Sequence, residues 1–204
     1  MSYKTDVWAN GLKDFEYNDK FGALDIETYK NQGASGDGLQ IPYAAGFTDF
    51  KGEPTVFYVE EGEPDFGVLV RTLQALLVQK YNGGTFYVHN LARFDSRLIL
   101  VALGMMDDVK CTVWGRDMCN IFRIRISKSV SKKRINIVLQ DSLYQLPFKL
   151  DVLGKKFNTD IKKTVFPYGF VTRDTLFYNG VMPDFSFYKN HLTECDYNKT
   201  FKQE

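Results

Sequence analysis

Alternation of apolar and polar side chains is the clearest pattern in the chain, and it predicts β-strands. Segments with this alternation, or with short aromatic and β-branched runs, are bounded by glycine-rich or charged turns. They lie at residues 21–29, 41–50, 54–61, 85–90, 120–130 and 134–142. Only short polar turns separate the second segment from the third and the fifth from the sixth, so we expect two β-hairpins.

A spacing of three or four residues between apolar positions predicts helices in other parts of the chain. It is clearest over 65–81, where one face carries Val68, Leu69, Leu73, Leu76 and Leu77. Helices are also predicted over 94–104, with Gly104 as the C-cap, and over 146–158. Strands and helices in this mixed order predict an α/β fold with helices packed on a mixed sheet.

Composition narrows the classes of protein to consider. The 204 residues suffice for one sizeable domain, and the net charge of +1 provides no overall attraction for a polyanion. Any contact with nucleic acid must therefore come from local patches. Three cysteines and two histidines argue against a disulfide framework, a zinc site or a histidine-rich metal centre. With no apolar run long enough to cross a membrane, we expect a soluble protein in a reducing compartment and no membrane partner.

Three acidic residues are candidates for a metal site. Asp25 and Glu27 lie two residues apart in a strand and therefore point to the same face. Asp95 follows another strand, where a helix begins, and strand ends are where open α/β sheets carry their sites. Carboxylates this close repel each other unless a cation or a proton lies between them, which favours Mg²⁺ or Mn²⁺. The alternatives are a solvated acidic strand end and an Asp95 that serves as a helix N-cap.

Three motifs carry a resemblance to a known family: "LDIET" at 24–28, "HNLARFD" at 89–95 and "DSLYQLPFKLDVLGKKF" at 141–157. Over residues 21–187 the chain resembles the exonuclease region of protein-primed family B DNA polymerases, of the type encoded by mitochondrial linear plasmids. The resemblance implies an RNase H-like mixed β-sheet with flanking helices. It also implies 3′–5′ exonuclease activity in DNA replication, two Mg²⁺ or Mn²⁺ ions in the complete site, and a mitochondrial location.

The resemblance also assigns roles to individual residues. Asp25, Glu27 and Asp95 match the metal-binding and catalytic carboxylates. A catalytic lysine is predicted at Lys162, with Lys163 as the alternative. The residues that would hold the 3′ end of single-stranded DNA are Thr28, Asn90, Phe94, Ser142 and Leu143.

Departures from the family pattern leave the activity open. The third exonuclease motif requires a Tyr four residues before its Asp, but Leu192 stands at that offset from Asp196. The polymerase palm motifs are also missing. We therefore expect a truncated chain with a polar lead-in at 1–20, an exonuclease core at 21–160 and an aromatic extension at 161–204. Missing polymerase domains and a terminal protein are its expected partners, besides a DNA 3′ end.

Two alternatives follow from these departures. One is a catalytically inactive module that binds single-stranded DNA or a terminal protein. The other is a stand-alone nuclease in which Asp141, Asp174 or Asp184 replaces the missing carboxylate.

A basic ribbon is a further candidate surface. Its members are Arg123, Arg125, Lys128, Lys132, Lys133 and Arg134. The two arginines alternate with apolar residues and therefore share one face of a strand. The ribbon is either a solvated sheet face, where lysines protect edge strands, or a surface that contacts DNA phosphates.

Overall fold

A computed structural model describes residues 19–31, 38–131, 133–159, 165–189 and 192–201. Within these residues the chain forms a seven-stranded mixed sheet and four α-helices. The strands are β1 (Phe21–Lys30), β2 (Gln40–Thr48), β3 (Pro54–Tyr58), β4 (Thr85–Val88), β5 (Val109–Gly115), β6 (Ile121–Val130) and β7 (Lys133–Asp141). The helices are α1 (Gly67–Leu76), α2 (Asp95–Gly104), α3 (Leu150–Lys156) and α4 (Glu194–Phe201). Four short 3₁₀ helices lie at Gln79–Tyr81, Tyr168–Phe170, Arg173–Thr175 and Phe185–Phe187.

The strand order across the sheet is β3-β2-β1-β4-β7-β6-β5. The three central strands β1, β4 and β7 are parallel, and antiparallel strands flank them on both sides. Because parallel strands end at the same edge of a sheet, the residues that follow β1, β4 and β7 are brought together. The topology thus places the first two motifs and the start of the third at one edge.

One face of the sheet forms the core with helices α1 and α2. Alternate residues of the central strands are buried there against apolar residues of both helices. These strand residues are Leu24, Ile26, Phe86, Val88, Ile137 and Leu139. The residues between them point to the other face, which we call the open face, and they are partly or fully exposed. Burial therefore follows the period of two that the sequence shows.

The structure confirms the predicted α/β fold, both hairpins and the three predicted helices. Two elements were missed: the strand β5, which is exposed along nearly its whole length, and the helix α4. The predicted cap at the end of α2 is displaced by one residue, since Gly104 is the last helical residue and Met105 is the C-cap. The division at residues 20/21 and 160/161 stays a prediction. No helix among the described residues is long and apolar enough to span a membrane.

A β-bulge interrupts the pairing of β1 with β2 at the motif "LDIET". Glu27 pairs with Ala44 but Thr28 pairs with Pro42, so Tyr43 is the extra residue on β2. Beyond the bulge the buried position of β1 changes phase, and Tyr29 is buried instead of Thr28. Bulges of this kind re-aim side chains next to functional sites. Here the bulge leaves Glu27 and Thr28 both partly exposed, side by side.

Asp141, at the end of β7, joins two of the motif loops through its carboxylate. The side chain is completely buried. Its Oδ2 accepts the backbone N–H of Ala92 at 2.7 Å, and its Oδ1 accepts that of Leu143 at 2.6 Å. Ala92 belongs to the loop between β4 and α2, and Leu143 to the turn that follows β7. A single carboxylate therefore fixes these two loops relative to each other.

Replacing Asp141 with Asn should loosen both loops. An amide group has only one acceptor oxygen, so one of the two backbone N–H groups would lose its partner in a buried position. We expect the free energy of unfolding to fall by about 1–3 kcal/mol, with faster amide hydrogen exchange at Ala92 or Leu143. Urea denaturation and exchange by NMR measure the two effects. Asp107→Asn, at an exposed position, is the matched control, and equal stability of the two variants would contradict this role.

Asp49 makes a comparable link in the β2–β3 hairpin. Its carboxylate accepts hydrogen bonds from the Lys80 ammonium group at 2.9 Å and from the backbone N–H groups of Lys51 and Glu53. The bond from Lys80, followed by that from Lys51, lowers the pKa of Asp49 to about 2. A carboxyl with a lowered pKa stabilises the folded state above its unfolded pKa of about 3.9. That contribution is lost as the pH falls through about 2.

Asp49→Asn should therefore lower the free energy of unfolding at pH 7, and the difference from the wild type should shrink between about pH 4 and pH 2. Urea denaturation of both proteins across this range measures the difference. A gap between the two proteins that stays constant down to pH 2 would show that the ionised carboxylate is not the stabilising group.

Candidate functional site

The carboxyl ends of β1, β4 and β7 carry the residues of the three motifs. Ala23 is in register with Tyr87, and Tyr87 with Gln140. Asp25 follows Ala23 on β1, and His89 and Ser142 directly follow the ends of β4 and β7, so all three lie toward the same edge of the sheet. The His89 Nδ1 and Ser142 Oγ atoms lie 3.1 Å apart, which joins the second motif to the third.

Asp25 and Glu27 point away from the core, as the alternation predicts. The neighbouring Leu24 and Ile26 are buried, whereas Asp25 is exposed and Glu27 is partly exposed. Both acidic side chains therefore lie on the open face at the end of β1. The structure thus confirms that the two residues share one face of the strand.

Asp95 is the first residue of α2, and its side chain does not cap the helix. The N-cap is Phe94, and no side chain makes a capping hydrogen bond there. The N-cap interpretation of Asp95 is therefore wrong. Its side chain lies in a largely closed environment, since the residue is only 5% exposed.

The charges around Asp95 reveal which residues surround it. Burial raises the pKa of Asp95 to about 7, and the charge of Asp25 is the next largest cause. Asp141 and Glu27 raise the pKa further, to a smaller extent. All three acidic residues of the first two motifs thus act electrostatically on one another. A buried carboxylate among like charges favours a bound proton or cation.

The donor chemistry suits a hard divalent cation, because all the groups are carboxylates. However, no three His, Cys, Asp or Glu side chains in the described ranges are arranged closely enough to hold a metal ion. At least one carboxylate would have to move for Asp25, Glu27 and Asp95 to share an ion. The residues fit Mg²⁺ or Mn²⁺ by type and charge, and the fit requires adjustment of a side chain.

The loop from β4 to α2 presents Asn90 and Phe94 beside these acids. Asn90 adopts a left-handed conformation with φ 70°, which Asn tolerates better than most residues. The backbone carbonyl oxygen of Asn90 accepts hydrogen bonds from the backbone N–H groups of Arg93 and Phe94, both at 3.3 Å. This turn leaves the Phe94 ring 39% exposed at the beginning of α2. Such a ring is available for stacking against a base.

The other predicted DNA-binding residues lie at the same edge of the sheet. Thr28 donates its hydroxyl hydrogen to Gln40 Oε1 at 2.8 Å. Ser142 and Leu143 form the turn directly after β7, where Leu143 donates its backbone N–H to Asp141. The predicted lysine Lys162, like its alternative Lys163, lies outside the described residues.

Three carboxylates were suggested as replacements for the missing ligand of the third motif. Of these three, only Asp141 raises the pKa of Asp95, so it is the one within electrostatic range of Asp95. Both of its oxygens already accept backbone N–H groups. Asp184 accepts the backbone N–H of Ser186 at the start of a 3₁₀ helix. Asp174 lies in another 3₁₀ helix, and its charge is not among the causes of the raised pKa of Asp95.

Two tyrosines near Glu27 were missed by the sequence reasoning. Burial raises the pKa of Tyr43, and the nearby charges of Glu27 and Tyr168 raise it further. Tyr43 and Tyr168 are therefore within electrostatic range of each other, and Tyr43 is within range of Glu27 in the first motif. The bulge in β2 brings Tyr43 there, and no spacing in the sequence marks it. Tyr168 comes from the aromatic extension, whose rings could stack bases or pack in a core or an interface, and the sequence did not place it beside the first motif.

Known structures share this architecture. Phi29 DNA polymerase complexed with single-stranded DNA matches with a TM-score of 0.53 and 19% identity, over 73% of this chain and 25% of that chain. Its ternary complex with primer-template DNA and incoming nucleotides matches with a TM-score of 0.55 and 17% identity, over 84% and 29%. At this identity the likeness shows the fold. The sheet and its flanking helices are RNase H-like, as the resemblance implied.

Sequence relatives lead to the same group of proteins. A probable DNA polymerase of Agaricus bitorquis is 32% identical, over 91% of this chain and 25% of its own length. A probable DNA polymerase of Podospora anserina is 26% identical, over 85% of this chain and 18% of its own length. The chain thus spans a quarter or less of these relatives. The family model "DNA polymerase type B, organellar and viral" matches residues 77–204. The chain therefore belongs to the family of organellar and viral type B DNA polymerases.

Proposed function

We propose that this chain is the 3′–5′ exonuclease region of a protein-primed DNA polymerase, hydrolysing the terminal phosphodiester bond of single-stranded DNA with two Mg²⁺ or Mn²⁺ ions. The single observation that carries the proposal is the Asp95 carboxylate, which is only 5% exposed and whose pKa is raised first by burial and then by the charge of Asp25, with smaller effects from Asp141 and Glu27. Acids grouped in this way destabilise the fold unless a cation or a proton neutralises their charge, and such groups are common at functional sites. Its position at the carboxyl ends of the parallel strands is the usual place for a site in this class of fold.

In the proposed mechanism Asp25, Glu27 and Asp95 supply the oxygen ligands. Divalent ions bound there would activate a water molecule and stabilise the leaving 3′-oxygen. The partly exposed Glu27 is open to solvent, from which the attacking water comes, whereas the buried Asp95 anchors the site next to α2. Because Asp95 is buried, water screens its charge only weakly, which strengthens its attraction for a cation.

The remaining motif residues would hold and orient the strand. Thr28 and Asn90 present polar groups to the 3′-terminal nucleotide, and the exposed Phe94 ring stacks on a base. Ser142 and Leu143 would contact the next part of the strand. Lys162 would assist catalysis by its positive charge near the scissile phosphate. Mispaired ends would be preferred substrates because they unstack at lower cost.

Single-stranded DNA is the proposed substrate for two reasons. The fold matches that of phi29 DNA polymerase, which is described in complexes with single-stranded and primer-template DNA. The site itself lies at an open edge of the sheet and offers acids, amides and an exposed ring to a strand end. A terminal protein and polymerase domains are proposed partners, and the mitochondrion is the proposed location, on the strength of the resemblance alone.

A catalytically inactive binding module is the second candidate. It is favoured by the lack of a ready-made set of metal ligands among the described residues. A stand-alone nuclease that uses Asp141 as its missing ligand is less well supported. The two short hydrogen bonds to Ala92 and Leu143 already occupy that carboxylate.

The proposal predicts Mn²⁺- or Mg²⁺-dependent shortening of 5′-labelled single-stranded DNA from its 3′ end. Asp25→Asn removes a charge from the ion-binding group at an exposed position, so folding should be retained. We expect its rate to fall by roughly a hundredfold or more. A gel assay of the DNA ladder measures the rate, with Asp107→Asn as the control that should retain full activity.

Two outcomes separate the candidates. Shortening that continues at the wild-type rate in Asp25→Asn would reject the proposed site. Binding of single-stranded DNA by the wild type with no shortening in either metal would reject the nuclease and leave the binding module.

A further inference from the structure

A second group of residues on the open face is not used by the proposed exonuclease site. Trp114 on β5 is in register with Arg123 on β6. Arg123 is in register with Gln140, Gln140 with Tyr87, and Tyr87 with Ala23. These five residues form one row across five strands. Since residues directly opposite each other point to the same side of a sheet, the row joins Trp114 to the face that carries Asp25.

Two arginines lie over the indole ring of Trp114. The guanidinium carbons of Arg123 and Arg125 are 5.5 Å and 5.6 Å from the ring centroid. Trp114 remains 37% exposed, so its ring is accessible from solvent. We call these three residues the Trp114 clamp. Cation–π contacts of this kind fix the orientation of both the ring and the guanidinium groups.

Among the described residues, no carboxylate forms an ion pair with the arginines of the clamp. Over the described ranges, the ion pairs of the structure involve Arg71 and Lys80, and neither clamp arginine takes part in one. In addition, the Nε atom of Arg123 is buried without a hydrogen-bond acceptor. A buried donor without a partner costs stability. A ligand oxygen that binds the Arg123 guanidinium, with a shift of this side chain that exposes Nε, would remove that cost.

A solvated sheet face is the alternative interpretation, and it does not account for these details. Residues that merely protect an edge strand extend their charges into water. Here one donor is buried without an acceptor among the described residues, and both guanidinium groups lie over an exposed aromatic ring. Anionic oxygens and flat aromatic groups together are the chemistry of a single-stranded nucleic acid, whose phosphates pair with arginine and whose bases stack on tryptophan.

We propose that the Trp114 clamp binds single-stranded DNA, with one base stacked on Trp114 and a phosphate held by Arg123 and Arg125. Four inter-strand steps of about 4.8 Å place the clamp about 19 Å from β1. At 3.4 Å per nucleotide in a stacked strand, this distance corresponds to at most about six nucleotides. The placement of the 3′ end at Asp25 rests on the proposed function, whereas the clamp itself does not.

The test uses the intrinsic fluorescence of Trp114. The chain has one other tryptophan, Trp8, so Trp8→Phe makes Trp114 the sole emitter. This protein is titrated with oligothymidylates of four and twelve nucleotides in EDTA, where no metal-dependent cleavage takes place. The twelve-nucleotide strand should quench Trp114. When the same strand carries a 5′-fluorescein label and binding is followed by its anisotropy, it should bind this protein at least about fivefold more tightly than the Trp114→Ala variant. The four-nucleotide strand, which is too short to span the distance between the 3′-end site and the clamp, should bind more weakly than the twelve-nucleotide strand.

Matched variants separate the clamp from general charge effects. Arg125→Gln should weaken the binding of the long strand and reduce its salt dependence, whereas Lys51→Ala, on the exposed β2–β3 turn, should change neither. Unchanged Trp114 emission at saturation, or equal weakening by Arg125→Gln and Lys51→Ala, would overturn the proposal. Because these measurements need no hydrolysis, a failure of the exonuclease assay leaves their result intact.

The position of the 3′ end can be tested with 2-aminopurine, a fluorescent base, in an eight-nucleotide strand. Stacking on Trp114 should quench the analogue when it lies about six nucleotides from the 3′ end, and Trp114→Ala should relieve that quenching. Quenching at the 3′ terminus, where the Phe94 ring is proposed to stack, should not depend on Trp114. Relief by Trp114→Ala at both positions would overturn the placement of the 3′ end at Asp25 and would support the clamp alone.

Discussion

The carboxylate of Asp95 is buried at the start of α2 among other acids, and the organisation of the site depends on how this repulsion is balanced. Burial and the charge of Asp25 raise its pKa to about 7, with smaller effects from Asp141 and Glu27. A protein gains nothing in stability from such a group, because each acid raises the cost of ionising the others. A divalent cation changes the balance, since it attracts all of these carboxylates at once.

The backbone creates this arrangement by two means. The parallel strands β1, β4 and β7 bring the three motifs to one edge, although the motifs are far apart in the sequence. Asp141 then joins the loop after β4 to the turn after β7 through its two oxygens. Asp141, which is not one of the proposed metal ligands, is thus the acid that positions the loops around the site. Neighbouring acids therefore have different roles, because the Asp141 carboxylate already accepts hydrogen bonds from the backbone of both loops.

Much of the fold could be predicted from the sequence, because the core-facing strands and α1 have strong and regular patterns. The side-by-side placement of Asp25 and Glu27 followed from alternation with Leu24 and Ile26. The strand β5 was missed because it is an exposed edge strand, and its pattern lacks the buried positions that mark a strand. The bulge at Tyr43 could not be predicted either, since pairing between β1 and β2 decides it. Burial of Asp95 depends on the packing of α2, which the local sequence does not encode.

The convergence of the three acids on a cation can be tested most directly by crystallography with Mn²⁺, whose anomalous scattering locates the ion. The account predicts a manganese peak within bonding distance of carboxylate oxygens from Asp25, Glu27 and Asp95, with at least one of these side chains shifted from its position without metal. The same experiment with Asp95→Asn should lose the peak or weaken it strongly. A peak bound elsewhere, or no peak at millimolar Mn²⁺ in well-ordered crystals, would contradict the account.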